Sequence, residues 1–218
     1  MILAAGRGER MRPLTDTLPK PLQKVGGLTL IERHITALAK AGIKHIVINL
    51  AWLGDLIEKQ LGNGSRFNLT IDYSYEQTAL GTLGGIVNAL ALLKEKQFLV
   101  ISADIVTDFD FQPLLSHSFN SNDLAHLVLI EESNFKGDFS LQSHRVIMPE
   151  GRSFTYGNIG LYQRQGLMHF QPGQVLDLGQ YLRHLISLNQ VSGQLFSGLW
   201  SNVGTIEELT KINRLLDK

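Results

Sequence analysis

The chain contains no cysteine among its 218 residues. This excludes disulfide bonds, thiolate metal ligands and a cysteine nucleophile, and it is typical of a protein from the reducing cytoplasm. Long apolar runs are also absent: no stretch approaches the roughly 18 consecutive apolar residues that a membrane-spanning helix needs. We therefore expect a soluble, cytoplasmic protein that has no membrane partner.

Neither sign of charge is in excess, since 20 Lys and Arg residues balance 20 Asp and Glu residues. A nucleic-acid-binding surface normally appears as a basic excess, so we expect no nucleic-acid partner. The seven histidines form no zinc or hydrolase motif, and packing is their expected role. With 44% hydrophobic residues, the chain is long enough for one substantial core, which predicts a single domain.

A loop rich in glycine and arginine directly follows the first apolar residues. Residues 3–15 are Leu-Ala-Ala-Gly-Arg-Gly-Glu-Arg-Met-Arg-Pro-Leu-Thr, and Pro-Lys-Pro-Leu follows at residues 19–22. Gly6 and Gly8 allow backbone N–H groups to approach an anion closely. Arg10 and Lys20 add mobile positive charge for several phosphate oxygens. The pattern predicts a strand followed by a phosphate-binding loop for a triphosphate.

Two better-known glycine motifs explain this loop less well. The dinucleotide-binding motif needs a small residue where Met11 stands, and Pro13 interrupts the helix that it requires. A Walker A loop needs Lys-Ser or Lys-Thr after its last glycine, and no such pair follows Gly8. A dinucleotide-dependent oxidoreductase remains an alternative at the level of the fold.

Strand-like and helix-like patterns alternate after this loop, which predicts an α/β fold: a Rossmann-like three-layer α/β/α sandwich with a mixed, mostly parallel central sheet. Predicted helices cover residues 28–41, 51–61, 82–93, 175–188 and 206–216. Predicted strands cover residues 45–50, 69–75, 97–101, 125–131, 138–147 and 154–162. The continuous apolar run at 97–101 is typical of a strand buried on both faces.

Asp104 comes just after the strand predicted at residues 97–101. Ligands of such sheets bind beyond the carboxyl ends of the strands, so this carboxylate and the glycine loop are expected at one edge. One carboxylate facing a triphosphate suits Mg²⁺, which takes one or two carboxylates together with phosphate oxygens. The alternative is a structural cap of the turn, and this is the role predicted for Asp108 and Asp110.

The glycine loop and its Pro-Lys-Pro-Leu extension resemble, position for position, the signature of the sugar-1-phosphate nucleotidyltransferases. The resemblance implies a fold of the nucleotide-diphospho-sugar transferase type, with residues 1–110 binding the nucleotide and residues 111–218 binding the sugar and closing the site. It implies a Mg²⁺-dependent enzyme that joins a nucleoside triphosphate to a sugar 1-phosphate and releases pyrophosphate. Catalysis would come from positioning and charge neutralisation rather than a protein nucleophile.

The resemblance also implies roles for individual residues. Arg10 is expected on the β- and γ-phosphates, Lys20 on the α-phosphate, and Asp104 on the metal. Expected nucleotide contacts are Leu3, Ala4, Ala5, Gly6, Gly8, Glu9, Arg10, Lys20, Glu76, Gly81, Thr82 and Ala103. Expected sugar contacts are Gly84, Gly137, Asp138 and Asn158. A glycine-rich helix start is an equal alternative for Gly81 and Gly84, as is a turn before a strand for Gly137 and Asp138.

The second expected metal ligand departs from the family pattern. That pattern has Trp-x-Asp-Val-Gly-Thr, whereas residues 200–205 are Trp-Ser-Asn-Val-Gly-Thr, so Asn202 takes the place of the aspartate. An amide keeps an oxygen donor and loses the negative charge, which should weaken Mg²⁺ binding. A nucleotide-binding protein with impaired catalysis is therefore a further alternative.

Several segments indicate a branch of the family. Residues 51–54, 64–67, 107–111 and 125–129 resemble the branch that joins UTP to N-acetylmuramate 1-phosphate in cell-wall recycling. Residues 80–85, Leu-Gly-Thr-Leu-Gly-Gly, instead have the form common in mannose-1-phosphate guanylyltransferases. We expect UTP and N-acetylmuramate 1-phosphate, with mannose-1-phosphate guanylyl transfer and glucose-1-phosphate uridylyl or thymidylyl transfer as alternatives. The expected assembly is a monomer or small homo-oligomer.

Overall fold

The structure is a computed structural model that describes residues 1–131 and 136–216. The helices are α1 (Leu14–Thr17), α2 (Leu30–Lys40), α3 (Gly54–Leu61), α4 (Gly81–Asn88), α5 (Phe111–Leu115), α6 (Leu178–Ser187) and α7 (Ile206–Leu216). The strands are β1 (Ile2–Leu3), β2 (Lys24–Val25), β3 (Leu28–Thr29), β4 (His45–Leu50), β5 (Thr70–Tyr75), β6 (Gln97–Ser102), β7 (Ile105–Thr107), β8 (Ala125–Ile130), β9 (Ser140–Gln142), β10 (Arg145–Ile147), β11 (Thr155–Gln163), β12 (Val191–Phe196) and β13 (Trp200–Asn202).

The chain forms two compact units. The first unit comprises residues 1–79, residues 102–112 and the stretch from Leu199 onward, and the second comprises residues 80–101 and 113–198. Each unit thus combines separate stretches of the chain, and the units do not divide at residue 110. The predicted roles of residues 1–110 in binding the nucleotide and of residues 111–218 in binding the sugar stay predictions. No helix within residues 1–131 and 136–216 is long and apolar enough to cross a membrane.

Three parallel strands form the sheet of the first unit, with β4 between β5 and β1. Residues 46–50 of β4 are all buried, as expected for a strand covered on both faces. Strands β7 and β13 form a small antiparallel pair that sets Asn202 opposite Ile105. This pairing brings residues from the end of the chain to the turn that follows β6.

The first unit contains an apolar cluster that includes one residue of the glycine loop. Its buried members are Met11, Val25, Leu30, Val106, Val203 and Ile212. Met11 belongs to the glycine loop and is completely buried. Its side chain therefore anchors the loop in the core, which is the physical reason for a large apolar residue at that position.

Helix boundaries differ from the predicted ones where a capping side chain decides them. Helix α2 begins at Leu30 rather than residue 28, because Thr29 and Glu32 form a reciprocal capping box and Leu28 belongs to β3. Helix α6 begins at Leu178 rather than residue 175, because the Asp177 side chain accepts a hydrogen bond from the Gln180 amide. Two further boundaries differ without a capping side chain: α3 begins at Gly54 rather than residue 51, and α4 ends at Asn88 rather than residue 93.

Mixed pairing characterises the second unit. Strand β11 pairs antiparallel with β6 and β8, while β12 runs parallel to β8. The single strand predicted at 138–147 is wrong: Ser143 and His144 have φ of 45° and 68° and turn the chain between β9 and β10. Two residues with positive φ are what a tight hairpin turn requires, and Ser-His is an uncommon choice for it. The parallel and antiparallel pairings confirm the predicted α/β fold with a mixed sheet.

Candidate active site

The first unit brings Lys20 and Asp104 together, although they lie 84 positions apart in the chain. The Lys20 Nζ lies 2.7 Å from the Asp104 Oδ2, and Ser102 donates its hydroxyl proton to Asp104 Oδ1 over 2.6 Å. Burial by itself would raise the pKa of the Asp104 carboxyl. The Lys20 charge and these hydrogen bonds outweigh burial and hold that pKa below its usual value, so the carboxylate is ionised.

Backbone hydrogen bonds fix the turn that carries Asp104. The Ala103 amide donates to the Leu3 carbonyl over 3.0 Å, and the Val203 amide donates to the Asp104 carbonyl over 2.8 Å. The turn between β6 and β7 is thus tied to the end of β1 and to the segment after β13. Of Asp108 and Asp110, the two acids predicted to cap, Asp110 accepts from the Gln112 amide over 3.0 Å. The carboxylate of Asp104, the predicted metal ligand, instead accepts from Lys20.

Glycine suits the two positions of the loop, Gly6 and Gly8, for different physical reasons. Gly8 has φ of 70°, and its carbonyl accepts from the Met11 amide and the Thr15 hydroxyl, both over 2.9 Å. A left-handed turn at that point explains this glycine without a ligand. Gly6 is exposed, and a Cβ built there would meet nothing within 4 Å among the described residues. The space beside Gly6 is therefore open to a ligand, as the predicted phosphate loop requires.

Trp52 contacts the glycine loop at two places, through Arg7 and Thr15. The sequence did not predict it as a site residue. The Arg7 guanidinium lies 4.3 Å from the centroid of the Trp52 ring, and the indole N–H donates to the Thr15 carbonyl over 2.9 Å. Such a cation–π contact contributes about 0.5–1 kcal/mol at an exposed site. The only available signal was its place in the family-like segment 51–54.

Arg10 extends toward Gly204, two residues before α7 begins. The Gly204 and Thr205 amides both donate to Glu208 Oε2, over 2.6 and 2.9 Å, and the Glu208 amide donates back to the Thr205 hydroxyl. This capping box fixes the segment. A Cβ on Gly204 would lie only 2.6 Å from Arg10 Nη2, so the glycine leaves the space that the guanidinium occupies.

Asn202 presents an unusual buried oxygen. Its side-chain Oδ1 is buried and has no hydrogen-bond partner within the described part of the chain. Buried carbonyl oxygens nearly always have a partner, and oxygen atoms are the ligands that Mg²⁺ prefers. Together with the ionised Asp104, this orphaned oxygen fits a divalent cation. Residues 1–131 and 136–216 contain no cluster of three acidic or histidine ligands, so phosphate and water would have to complete the coordination.

The predicted contacts divide between the two units. The first unit holds Leu3, Ala4, Ala5, Gly6, Gly8, Glu9, Arg10, Lys20, Glu76, Ala103, Asp104 and Asn202. The second unit holds Gly81, Thr82, Gly84, Gly137, Asp138 and Asn158. The geometry that unites Lys20, Asp104 and their partners therefore belongs entirely to the first unit, and the binding roles of both groups stay predictions.

Glycines of the second unit approach their own chain closely. A Cβ on Gly81 would lie 2.6 Å from the Leu176 carbonyl oxygen, and one on Gly84 would lie 2.4 Å from the Gln174 carbonyl oxygen. Likewise, a Cβ on Gly137 would lie 2.6 Å from the backbone of Ser153. Packing within the unit is thus sufficient to explain these glycines.

Asp138 and Asn158 show two different features. The Asp138 carboxylate accepts from the Tyr156 amide over 2.9 Å, which agrees with its alternative role in a turn. Asn158 has φ of 56° and lies at the register shift of β11 between Tyr156 and Gly160. Bulges with left-handed residues occur often beside binding sites, so this feature favours Asn158 among the predicted sugar contacts.

Comparison with known families assigns the class. Residues 1–137 match the nucleotidyl transferase family model, and the chain belongs to this family. An N-acetylmuramate alpha-1-phosphate uridylyltransferase from Neisseria meningitidis is 45% identical over 99% of this chain and 96% of its own length. A mannose-1-phosphate guanylyltransferase from Mycobacterium tuberculosis is 34% identical over 57% of this chain and 35% of its own. The enzyme family predicted from the glycine loop is confirmed.

Solved structures support the same fold. HddC from Yersinia pseudotuberculosis superimposes with a TM-score of 0.81 at 20% identity, covering 98% of this chain and 97% of its own. The inositol-1-phosphate CTP transferase from T. maritima gives a TM-score of 0.79 at 17% identity, covering 100% and 94%. These likenesses confirm the predicted nucleotide-diphospho-sugar transferase fold and carry no information about the substrate.

Proposed function

We propose that this enzyme transfers the uridylyl group of UTP to N-acetylmuramate 1-phosphate and releases pyrophosphate, a reaction of cell-wall recycling. The observation that carries the proposal is the 45% identity to a uridylyltransferase of this name across 99% of the chain. That match includes the second unit, where sugar contacts are predicted. The Mycobacterium tuberculosis guanylyltransferase matches 57% of the chain at 34% identity, and a mannose-1-phosphate guanyltransferase beta-B from Xenopus laevis matches 94% of it at only 29% identity.

The site geometry supports an in-line displacement. An oxygen of the sugar phosphate attacks the α-phosphorus of UTP, the bond from that phosphorus to the oxygen of the β-phosphate breaks, and pyrophosphate leaves. Lys20 would contact the α-phosphate, where charge develops, and Arg10 would contact the β- and γ-phosphates. The long stem of Lys20 allows its ammonium group to exchange the Asp104 carboxylate for a phosphate oxygen.

Asp104 and Asn202 would hold a Mg²⁺ ion. When bound, that ion neutralises charge on the phosphates during transfer. Because Asn202 contributes no charge, the protein supplies a weak metal site, and we infer that nucleotide and metal bind together. We further infer a cytoplasmic location, since nucleoside triphosphates are cytoplasmic metabolites, and a monomer or small homo-oligomer.

Pyrophosphate release tests the proposed reaction. UTP, GTP, dTTP and CTP are each combined with the 1-phosphates of N-acetylmuramate, glucose and mannose in the presence of Mg²⁺. We expect release with UTP and N-acetylmuramate 1-phosphate only, and release about 1,000-fold slower from Lys20→Ala under the same conditions. Release with GTP and mannose 1-phosphate would instead establish the guanylyl alternative.

Asn202 favours a second candidate, a nucleotide-binding protein with impaired catalysis. In that case no combination of nucleotide and sugar 1-phosphate releases pyrophosphate, yet UTP with Mg²⁺ still raises the melting temperature. Asn202→Asp would then produce pyrophosphate release by restoring the missing charge. Robust turnover by the unmodified protein would rule out this candidate.

A further inference from the structure

A buried asparagine joins the ends of three neighbouring strands in the first unit. Asn49 lies near the end of β4, the strand between β1 and β5, and the residue is 4% exposed. Its Oδ1 accepts from the Ala4 amide over 2.9 Å, and its Nδ2 donates to Glu76 Oε1 over 2.6 Å. Ala4 follows β1 and Glu76 follows β5. One side-chain amide thus links the first residue after each flanking strand.

The two hydrogen bonds require an amide at this position. A backbone N–H needs an acceptor, whereas the carboxylate of Glu76 needs a donor, and asparagine is the shortest side chain that offers a carbonyl oxygen and an N–H group together. Aspartate would keep the acceptor for Ala4 and lose the donor for Glu76. Neither Ala4 nor Glu76 can shift without breaking a buried hydrogen bond, which costs about 1–3 kcal/mol.

Resting on the proposed function, we propose that Asn49 is a positioning residue for recognition of the nucleotide base. Both of its partners, Ala4 and Glu76, are predicted nucleoside contacts. A charged carboxylate can only accept hydrogen bonds, and uracil offers its single N3–H between two carbonyl oxygens. A fixed acceptor therefore matches uracil, because a small shift would set the carboxylate against one of those oxygens.

Guanine is the base with which uracil is compared, because GTP is the expected competitor of UTP. Guanine presents two adjacent donors, N1–H and the N2 amino group. A carboxylate whose Oε1 no longer accepts from Asn49 keeps a lone pair for the second of these donors. Specificity is a difference between two affinities, and Asn49 acts on that difference by restricting the orientation of Glu76. Loss of the restraint should therefore weaken UTP binding and favour GTP relative to UTP.

Asn49→Asp tests the restraint while keeping the acceptor for the Ala4 amide. It places a second carboxylate beside Glu76, and the two like charges must separate. We expect the Kd for UTP to rise about tenfold, with a fall in the preference for UTP over GTP. At saturating UTP, kcat should change less than roughly threefold, since the phosphate contacts remain.

A double variant provides the rescue. When Asn49→Asp is combined with Glu76→Gln, the new carboxylate at position 49 can accept both from the Ala4 amide and from the new side-chain amide at position 76. The pair is then rebuilt with its donor and acceptor exchanged. We expect the double variant to recover preference for UTP over GTP relative to Asn49→Asp. Thr29→Ala is the matched control: it removes a buried cap of the same unit and should lower the melting temperature without changing that preference.

Calorimetric binding of UTP and GTP, without sugar phosphate, separates this inference from the proposed function. Wild-type protein that binds neither nucleotide contradicts the proposed function. Wild-type protein that prefers UTP, together with an Asn49→Asp variant of unchanged preference, overturns the role of Asn49 alone. If Asn49→Asp does not fold, Asn49→Ser takes its place, because its shorter hydroxyl cannot hold both partners and must also lower the preference.

Discussion

Two partly buried charged pairs, one in each unit, are built differently. In the first unit, Lys20 meets Asp104 through one contact of 2.7 Å, and the two side chains are 11% and 29% exposed. In the second unit, Arg145 meets Asp123 at 2.5 Å, and the Asp123 side chain is only 2% exposed. The guanidinium of Arg145 also donates to the side chain and the carbonyl of Asn189.

The difference separates a pair that can exchange partners from one that cannot. A lysine ammonium is a point charge on a flexible stem, so Lys20 can pass from a carboxylate to a phosphate oxygen. A guanidinium donates in a rigid fork, and Arg145 uses its fork to join Asp123 and Asn189. Burial of an ion pair therefore does not by itself identify a catalytic site. Access to the carboxylate and freedom of the cation distinguish the pair in the first unit.

Lys20→Ala should have the largest effect. It removes charge aimed at the transition state, so kcat should fall about 1,000-fold, while urea unfolding shows that the fold is retained. Lys24→Ala, at an exposed lysine four positions away, serves as the control and should leave turnover unchanged. Near-normal turnover by Lys20→Ala would mean that both pairs are structural.

Arg145→Met should act on stability instead. It leaves Asp123 buried without its main partner, so the free energy of unfolding should fall by about 3 kcal/mol. The Kd for UTP, measured on the folded variant, should not change. Arg152→Met is the matched control, because its ion pair with Glu131 is exposed on both sides and screened by water, so the free energy of unfolding should change much less than in Arg145→Met. Loss of UTP affinity in Arg145→Met would remove the contrast between the pairs.

Acid should destabilise the second unit through His126. This residue is 4% exposed, its ring forms hydrogen bonds with Ser192 and Gln194, and the centroid of that ring lies 3.9 Å from the centroid of the His117 ring. Burial, followed by the charge on His117, lowers the pKa of His126 from 6.5 to about 4. The unfolded chain then takes up a proton at a higher pH than the folded one. The contribution of neutral His126 to the free energy of unfolding is therefore complete above pH 6.5 and is lost as the pH falls toward 4.

The expected loss from His126 is about 2 kcal/mol between pH 7 and pH 5. Urea unfolding at both pH values measures it. His126→Gln cannot take up that proton, so the variant should show a smaller difference between the two pH values. An equal difference in wild type and variant would place the acid sensitivity elsewhere.

Gly204→Ala should produce the smallest effect, and it tests the first unit again. The added Cβ would displace the Arg10 guanidinium by contact at 2.6 Å, so we expect KM for UTP to rise about fivefold with little change in melting temperature. Arg10→Ala provides the background for a double-mutant cycle. If Gly204→Ala acts through Arg10, its effect disappears in that background.

Local chemistry made several features predictable from the sequence. The glycine loop, the alternation of strands and helices, and the position of Asp104 after an apolar strand all depend on residues close together in the chain. Helix starts also obey local rules, as the caps formed by Thr29 with Glu32 and by Asp177 with Gln180 show. The periodicity of apolar residues nevertheless placed both helix starts too early.

The sequence by itself thus determined the family, the α/β class and the loop that carries Arg10 and Lys20. The sequence predicted that Asp104 and the glycine loop share one edge of the sheet, but only the tertiary structure decided the specific contacts: Lys20 with Asp104, and Asn49 with Ala4 and Glu76. The physical reason is that a hydrogen bond or ion pair depends on distance in space. Strand order sets that distance, and no property of a single residue reveals which strand will be its neighbour.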